Sequence, residues 1–153
     1  MKVSKKGEYA LRALLDLAMD PSRGNVQAQS VALQENIPVK FLEQILSVLK
    51  NAGIVQSRRG VGGGYTLSRP ADQITLGQVI RLIDGPLAPI RCASKTAPER
   101  CSCPDESTCG LRQIMLEVRN AISEIVDQTT LADVCAKTKD LQQQQNWTPL
   151  YAI

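Results

Sequence analysis

Four elements predicted in immediate succession place the tightest constraint on the fold: a short helix, a tight turn, a longer helix and a hairpin. Apolar positions at helical spacing predict helices over residues 28–35 and 38–51. Asn36 and Ile37 are expected to form the turn, and Pro38 to be the first helical residue, where its missing N–H costs no hydrogen bond. This order is the helix-turn-helix outline, although an ordinary helical hairpin gives the same pattern.

A hairpin is predicted next, with short strands over residues 54–57 and 65–68 around the loop RRGVGGG. Arg58 and Arg59 carry positive charge at its tip, and Gly60 begins the glycines that let the backbone approach a phosphate or enter a minor groove. A nucleotide-binding glycine loop lies instead between a strand and a helix and is followed by Lys-Ser or Lys-Thr, which this loop is not. The hairpin therefore favours the wing of a winged helix.

Two further helices complete the first half of the chain. Residues 9–19 have an amphipathic pattern, and a second helix is predicted from a capping box formed by Thr75 and Gln78 to about Asp84, with Gly85 after it.

A heptad-like apolar stripe dominates the C-terminal part. About twenty residues of helix span about 30 Å, more than a small domain covers by itself, so the stripe favours pairing with a second copy of the chain. Packing across the chain's own domain is the alternative. A short helix is predicted from Thr130, followed by a flexible tail unless Trp147 and Tyr151 dock. The stripe comprises Leu111, Ile114, Met115, Val118, Ala121, Ile122 and Ile125.

Four of the five cysteines lie close together, at Cys92, Cys101, Cys103 and Cys109, in or beside an aperiodic loop. Such clustering in a reducing compartment indicates metal binding or thiol redox chemistry. The chain has no histidine, so imidazole-based catalysis is excluded and we expect no enzyme. Cys135 occupies an apolar helix position and is expected in the core.

Charge is unevenly distributed. Residues 1–70 hold ten Lys and Arg against five Asp and Glu, and residues 71–153 hold eight against ten. A basic first half suits a surface that faces an anion such as DNA, although chance gives the same asymmetry. The sequence shows neither a membrane-spanning run nor a cleavable signal pattern, so we expect a cytoplasmic location and no membrane partner.

The motifs YALRALLDLA, PVKFLEQILSVLKNAGIVQSRRGVGGGYTLSRP and ITLGQVIRLIDGPL, followed by the cysteine cluster, strongly resemble the Rrf-two (Rrf2) family of winged-helix regulators over residues 1–137. The family includes iron–sulfur, nitric-oxide and iron-response repressors and a cysteine-metabolism repressor. The resemblance implies a mainly α fold with a small β-hairpin wing. We expect a DNA-binding domain over 1–86, a sensor loop over 87–108, a dimerisation helix and a short helix over 109–137, and a tail over 138–153.

The resemblance further implies a homodimeric transcriptional regulator, expected to be a repressor, with two recognition helices in successive major grooves of palindromic double-stranded DNA. The wing arginines would lie in or near a minor groove. The expected DNA-binding residues are Lys5, Lys6, Pro38, Lys40, Glu43, Gln44, Arg58, Arg59 and Gly60.

Cluster-binding family members use three cysteines, and Cys92, Cys103 and Cys109 match their placement. A histidine that some relatives use as fourth ligand is replaced by Arg112, so either Cys101 or Glu8 of the partner subunit would complete an iron–sulfur site, [2Fe–2S] or [4Fe–4S]. A thiol–disulfide switch, a zinc site or a small-metabolite effector is the alternative, with zinc disfavoured because no cysteine pair has zinc-knuckle spacing. An electron carrier would leave the helix-turn-helix and wing unexplained.

Overall fold

The computed structural model describes residues 1–146, which form six helices and one two-stranded antiparallel sheet. This confirms the mainly helical fold with a small hairpin. No helix in this part of the chain is long and apolar enough to cross a membrane. The elements are α1 (Lys5–Met19), α2 (Ala28–Glu35), α3 (Val39–Asn51), β1 (Val55–Arg58), β2 (Gly64–Leu67), α4 (Leu76–Asp84), α5 (Gly110–Gln128) and α6 (Leu131–Asn146).

Helix α1 is the centre of the core. It begins one turn earlier than the apolar pattern predicts, because Ser4 caps it by accepting a hydrogen bond from the Gly7 N–H. Its buried face includes Ala10, Leu14 and Leu17 and packs against α2, α3, α4 and α6. The helices of the first half are therefore held in place around α1.

The helix-turn-helix forms where the sequence predicts it. Asn36 ends α2 in the left-handed region at φ 53°, which asparagine tolerates better than most residues, and Ile37 is buried behind it. The prediction that Pro38 is the first helical residue is wrong, because Pro38 is the N-cap of α3. Its ψ of 124° is extended, while its carbonyl already accepts the Leu42 N–H at 2.9 Å. The proline thus starts the helical hydrogen bonds without helical backbone.

The wing is the antiparallel pair β1 and β2, in which Val55 lies opposite Leu67 and Arg58 opposite Gly64. Both strands are displaced by one residue from the predicted bounds. Gly64 has a φ of 144°, and a Cβ there would lie 2.5 Å from the Val26 backbone. This close approach allows two hydrogen bonds between Val26 and Tyr65, of 2.9 and 2.8 Å, which join the wing to the segment before α2.

Helix α4 begins with the predicted capping box of Thr75 and Gln78. It packs on α5 at Gly77, where a Cβ would clash with the carboxylate of Asp127. The Arg81 guanidinium donates to Asp127 Oδ2 at 2.8 Å and to the Ser123 hydroxyl at 3.3 Å. A glycine contact and a bidentate ion pair therefore fix α4 on α5.

Helix α5 leaves its apolar stripe in solvent. Ser123 is the buried residue of the helix, whereas Leu111, Ile114, Val118 and Ile125 are exposed by 40 % or more. The stripe lies on the side of α5 away from Ser123, so the chain's own core does not cover it.

Helix α6 corrects the prediction of a short last helix. It runs for 16 residues, because Leu131 and Cys135 are buried against the core and the residues that follow are good helix formers without glycine or proline. The tail predicted over residues 138–153 therefore begins inside α6. Residues 147–153 of this tail lie outside the described residues.

Candidate nucleic-acid interface and cysteine loop

The first turns of α3 carry an exposed polar face. Lys40, Glu43 and Gln44 are exposed there, and Pro38 is exposed at the helix start. On the opposite side, Leu42 and its apolar neighbours are fully buried. The helix therefore presents hydrogen-bonding side chains of both signs while the core fixes its orientation.

The tip of the wing is also exposed. Arg58 ends β1, Arg59 and Gly60 follow it in the turn, and Val61 is fully exposed beyond them. Gly60 has a φ of 90°, and its carbonyl accepts the Gly63 N–H at 3.0 Å. The turn is thus hydrogen-bonded and holds two arginines outward.

Lys5 and Lys6 lie in the first turn of α1, where the two differ in their surroundings. The Lys5 ammonium pairs with Glu8 at 3.2 Å and lies 5.1 Å from the Tyr9 ring centre, while Lys6 is half-buried. Lys5 is therefore partly neutralised within the chain.

Glu8 makes ion pairs with two cations of its own helix. Its carboxylate binds Lys5 and the Arg12 guanidinium, the latter at 3.3 Å, and the hydrogen bond from Lys5 lowers the Glu8 pKa. It lies on α1 rather than in the cysteine loop, and both pairs would have to open for it to bind a metal of a second subunit.

The loop between α4 and α5 brings four free thiols into one segment. Cys92 is buried in a short 3₁₀ turn, and Cys101, Cys103 and Cys109 are half-buried. The Cys103 backbone N–H donates to the Cys101 sulfur at 3.3 Å. This backbone contact holds Cys101 and Cys103 together in one turn of the loop.

The thiols differ in acidity. Hydrogen bonding from Cys103 lowers the pKa of Cys101. The same bond, together with burial, raises the pKa of Cys103 to about 11. Burial followed by the nearby Cys101 raises the pKa of Cys92. Among Cys92, Cys101 and Cys103, Cys101 is therefore the thiol most easily ionised.

Both ends of the loop are anchored to helices. Cys109 is the N-cap of α5, its sulfur accepting the Arg112 N–H at 3.4 Å. The Arg112 guanidinium donates to the Cys92 carbonyl at 3.1 Å. Arg112 therefore holds the first cysteine beside the last.

Two acidic residues of this loop, Asp105 and Glu106, make contacts that the sequence pattern did not predict. The Glu106 carboxylate accepts the Cys101 N–H, and Asp105 accepts the Ser107 N–H at 2.9 Å in an Asx turn. The Asp-x-Ser spacing was a readable turn signal.

The donor set suits an iron–sulfur cluster, since thiolates are its preferred protein ligands. Within residues 1–146, no three metal-binding side chains are arranged to hold one metal ion. A cluster distributes its ligands over several iron atoms, so its thiolates need not meet at a single point.

Comparison with known proteins identifies relatives along almost the whole chain. A family model described as "Rrf2: Iron-dependent Transcriptional regulator" matches residues 3–137. The regulator CymR of Bacillus subtilis is 35 % identical over 94 % of this chain and 96 % of its own. Its solved structure, titled as the global cysteine regulator, has a TM-score of 0.75 and covers 90 % of this chain and 98 % of that one.

Two further solved structures are similar. T. potens IscR has a TM-score of 0.74 at 31 % identity and covers 93 % of this chain and 91 % of its own. The oxidized form of Staphylococcus aureus CymR has a TM-score of 0.70 at 32 % identity, over 88 % of this chain and 96 % of that one.

Proposed function

The chain belongs to the Rrf2 family of transcriptional regulators, and we propose that it is a homodimeric repressor that senses iron–sulfur, iron, redox or nitric oxide status through a cluster held by its cysteine loop. As the family membership implies, it binds DNA and is not an enzyme. In the proposal, residues 1–86 bind DNA, residues 87–108 sense the signal, and α5 joins two subunits.

DNA recognition is assigned to α3 and the wing. An α-helix fits the B-DNA major groove, where Gln44 can pair with adenine, Glu43 can accept from cytosine and Lys40 can reach guanine or phosphate. Arg58 and Arg59 suit the minor groove or its phosphates, since the wing turn holds them outward. The exposure of these five side chains supports the assignment.

Dimerisation is assigned to the exposed stripe of α5. Leu111, Ile114, Val118 and Ile125 follow a three–four spacing on one face, the spacing of paired helices. Exposed apolar side chains in such a row are costly in water, and a second copy of α5 would bury them. To bind two half-sites one turn of DNA apart, the two α3 helices of such a dimer would have to lie about 34 Å apart.

The cluster is assigned to Cys92, Cys103 and Cys109, with Cys101 or Glu8 of the partner subunit as fourth ligand. When bound, it would supply a centre that reacts with oxidants and nitric oxide and that depends on the supply of iron. The protein's part is to position the thiolates: Arg112 holds Cys92 by its carbonyl, and Glu106 holds the Cys101 backbone. The ion pairs of Glu8 favour Cys101 as the fourth ligand.

The observation that carries the proposal is the double position of Cys109, which is both a cysteine of the loop and the N-cap of α5. A change at its sulfur acts directly on the start of the helix that carries the exposed stripe. In the proposal, Cys109 therefore connects the cysteine loop that senses the signal to the helix that joins the two subunits.

The test is anaerobic purification followed by iron, sulfide and visible absorption measurements. We expect brown protein with stoichiometric iron and sulfide. Cys109→Ser should lose the iron while keeping a good helix cap, and Cys135→Ser, outside the loop, should keep it. Iron loss in Cys101→Ser but not in Glu8→Gln would assign the fourth ligand to Cys101. Colourless wild-type protein without iron would contradict the cluster.

A thiol–disulfide switch between Cys92 and Cys101 is the second candidate, supported by the placement of both free cysteines in one loop and by the oxidized form known for a relative. The two thiols would form one S–S bond, releasing two protons and giving two electrons to an oxidant such as a peroxide. Iron-free protein that loses two titratable thiols after peroxide treatment would favour this candidate.

A further inference from the structure

A polar depression of about 400 Å³ lies on the outer face of the wing. Val55 of β1 is buried on the core side of the hairpin, whereas the next residue, Gln56, is exposed on the outer side. Since side chains alternate along a strand, Arg58 lies on the same outer face as Gln56. The residues that line the depression, one of them charged, are Gly24, Asn25, Gln56, Ser57, Arg58 and Thr66.

Three polar side chains form a row across this face. Gln56 and Thr66 lie directly opposite each other in the pair of β1 and β2. Val26 pairs with Tyr65 on the other edge of β2, so Asn25 falls opposite Thr66. Directly opposite residues of neighbouring strands share a face, with their Cβ atoms about 4.5–5.5 Å apart. The depression therefore joins the wing to the segment before α2.

These side chains match the donors that proteins use on the DNA backbone. The Asn25 amide and the Thr66 hydroxyl can each donate a hydrogen bond toward the depression. The Arg58 guanidinium adds several N–H donors and a positive charge. Arginine, threonine and asparagine side chains bind phosphate oxygens in protein–DNA complexes, where such contacts fix the protein on the duplex without reading its bases.

The charge around the depression favours an anion. Residues 44–71 contain four Lys and Arg and no Asp or Glu. The ion pairs formed within residues 1–146 do not include Arg58. Arg23, which precedes Gly24 in the chain, is bound by the buried Asp16 carboxylate at 3.1 Å. Arg58 is therefore the cation available to a ligand in the depression.

One cation on an exposed surface binds a free inorganic anion weakly, because water and salt screen its charge. A phosphate of a bound duplex is already held nearby by the rest of the interface, so it loses little further freedom when it enters the depression. Arg59 follows directly at the wing tip, which places the depression beside the expected path of the DNA.

We propose that the depression binds one phosphate of the DNA backbone through the Arg58 guanidinium, the Thr66 hydroxyl and the Asn25 amide. Gln56 lies beside them as a further donor. The inference rests on the proposed recognition of DNA by α3 and the wing, and it assigns Arg58 to a phosphate. Because Asn25 belongs to the segment that leads into α2, the bound phosphate connects the wing to the helix-turn-helix.

Duplexes in which single phosphates are replaced by uncharged methylphosphonates test the proposal. The parent is a palindromic duplex that the protein selects from a random pool, and fluorescence anisotropy gives the affinities. For the wild type we expect one position in each half-site at which the replacement weakens binding about tenfold. In Arg58→Ala the same replacement should change affinity by less than about twofold, because the contact is already lost. Arg59→Ala should keep the full effect at that position.

Two variants that preserve side-chain shape test the uncharged donors. Thr66→Val removes the hydroxyl and should weaken binding of the parent duplex about fivefold. Asn25→Asp places a carboxylate beside the phosphate and should weaken binding about tenfold, since like charges repel. Asn120→Asp adds the same charge on an exposed part of α5 and should leave the affinity nearly unchanged. Circular dichroism of each variant confirms that the fold is retained.

Three results would overturn the proposal while leaving DNA recognition by α3 and the wing intact. The first is a duplex with no position at which the effect of a methylphosphonate depends on Arg58. The second is an equal effect of Asn25→Asp and Asn120→Asp. The third is saturable binding of inorganic phosphate without DNA that Arg58→Ala abolishes, which would identify a free-anion site. Wild-type protein that selects no duplex would overturn both this inference and the proposed recognition.

Discussion

Ser4 and Asp84 join the beginning of α1 to the end of α4. The Ser4 backbone N–H donates to Asp84 Oδ2 at 2.8 Å, and the Ser4 hydroxyl donates to Oδ1. Gly7 makes the approach possible, since a Cβ there would lie 2.7 Å from the same carboxylate. A negative charge at the start of a helix is favourable, so Asp84 stabilises α1 while marking the point where the chain leaves α4 for the cysteine loop.

Asp84→Ala is therefore expected to destabilise the fold by about 0.5–1.5 kcal/mol, because the two exposed Ser4 donors lose a charged acceptor that water replaces in part. Urea unfolding of the purified protein measures this free energy. Asp72→Ala, at an exposed carboxylate in the turn before α4, is the control and should change it by less than about 0.5 kcal/mol. Equal effects of the two substitutions would show that Asp84 does not stabilise the start of α1.

The Arg81–Asp127 pair predicts a pH dependence of stability. Hydrogen bonding from Arg81 lowers the pKa of Asp127 in the folded protein. A lowered folded-state pKa contributes stability above the unfolded value of about 3.9, and this contribution is lost as pH falls through the folded pKa. Since Asp127 is 43 % exposed, about 1 kcal/mol is expected.

Asp127→Asn should thus lower the melting temperature by about 2–4 °C at pH 7. The difference should begin to shrink as pH falls below about 4 and should vanish once pH is below the lowered folded-state pKa of Asp127. Thermal unfolding across this range checks the result, with Glu124→Gln on the same helix as control. If the difference in melting temperature persisted at low pH, it would not come from the charge of the Arg81–Asp127 pair.

The wing predicts a salt-dependent contribution to DNA affinity. Arg59→Ala should weaken binding and reduce the slope of log affinity against log salt by about one, because one phosphate contact is lost. Fluorescence anisotropy with a labelled duplex measures both quantities, and Lys137→Ala on α6 is the control. Unchanged affinity and slope in Arg59→Ala would contradict the assignment of the wing.

The exposed stripe predicts dimers that a single charge disrupts. Val118→Glu places a carboxylate in the middle of the stripe, where burial against a second copy would cost several kcal/mol. Sedimentation velocity should show monomers for this variant and dimers for the wild type. Gln113→Glu, at an exposed polar position of α5 outside the stripe, should leave the dimer intact. Dimers of unchanged stability in Val118→Glu would place the interface elsewhere.

Most of the fold was predictable from the sequence because its signals are local. The capping box at Thr75, the turn at Asn36 and the apolar pattern of α3 each depend on residues within one or two turns of helix. Ser4 was missed as the cap of α1 because Lys5 and Lys6 lack the apolar pattern by which the helix was located. The length of α6 was missed for the same reason, since its second half is polar.

The candidate site was predictable in its residue types but not in its contacts. Cysteine spacing identified the loop, whereas the bond from Arg112 to the Cys92 carbonyl and that from Cys101 to Glu106 join residues whose approach depends on the path of an aperiodic loop. The link from Asp84 to Ser4 spans 80 positions in the chain and has no local signal.

In the proposed mechanism the state of the cysteine loop sets DNA affinity, so the decisive experiment compares DNA binding by matched protein with and without its cluster. A palindromic duplex selected from a random pool by the protein itself serves as probe, with affinities measured anaerobically at one salt concentration. We predict a 5- to 150-fold difference between the two forms, a coupling of about 1–3 kcal/mol, that is absent in Cys109→Ser. Equal affinity of the two wild-type forms would show that the cysteine loop does not control DNA binding.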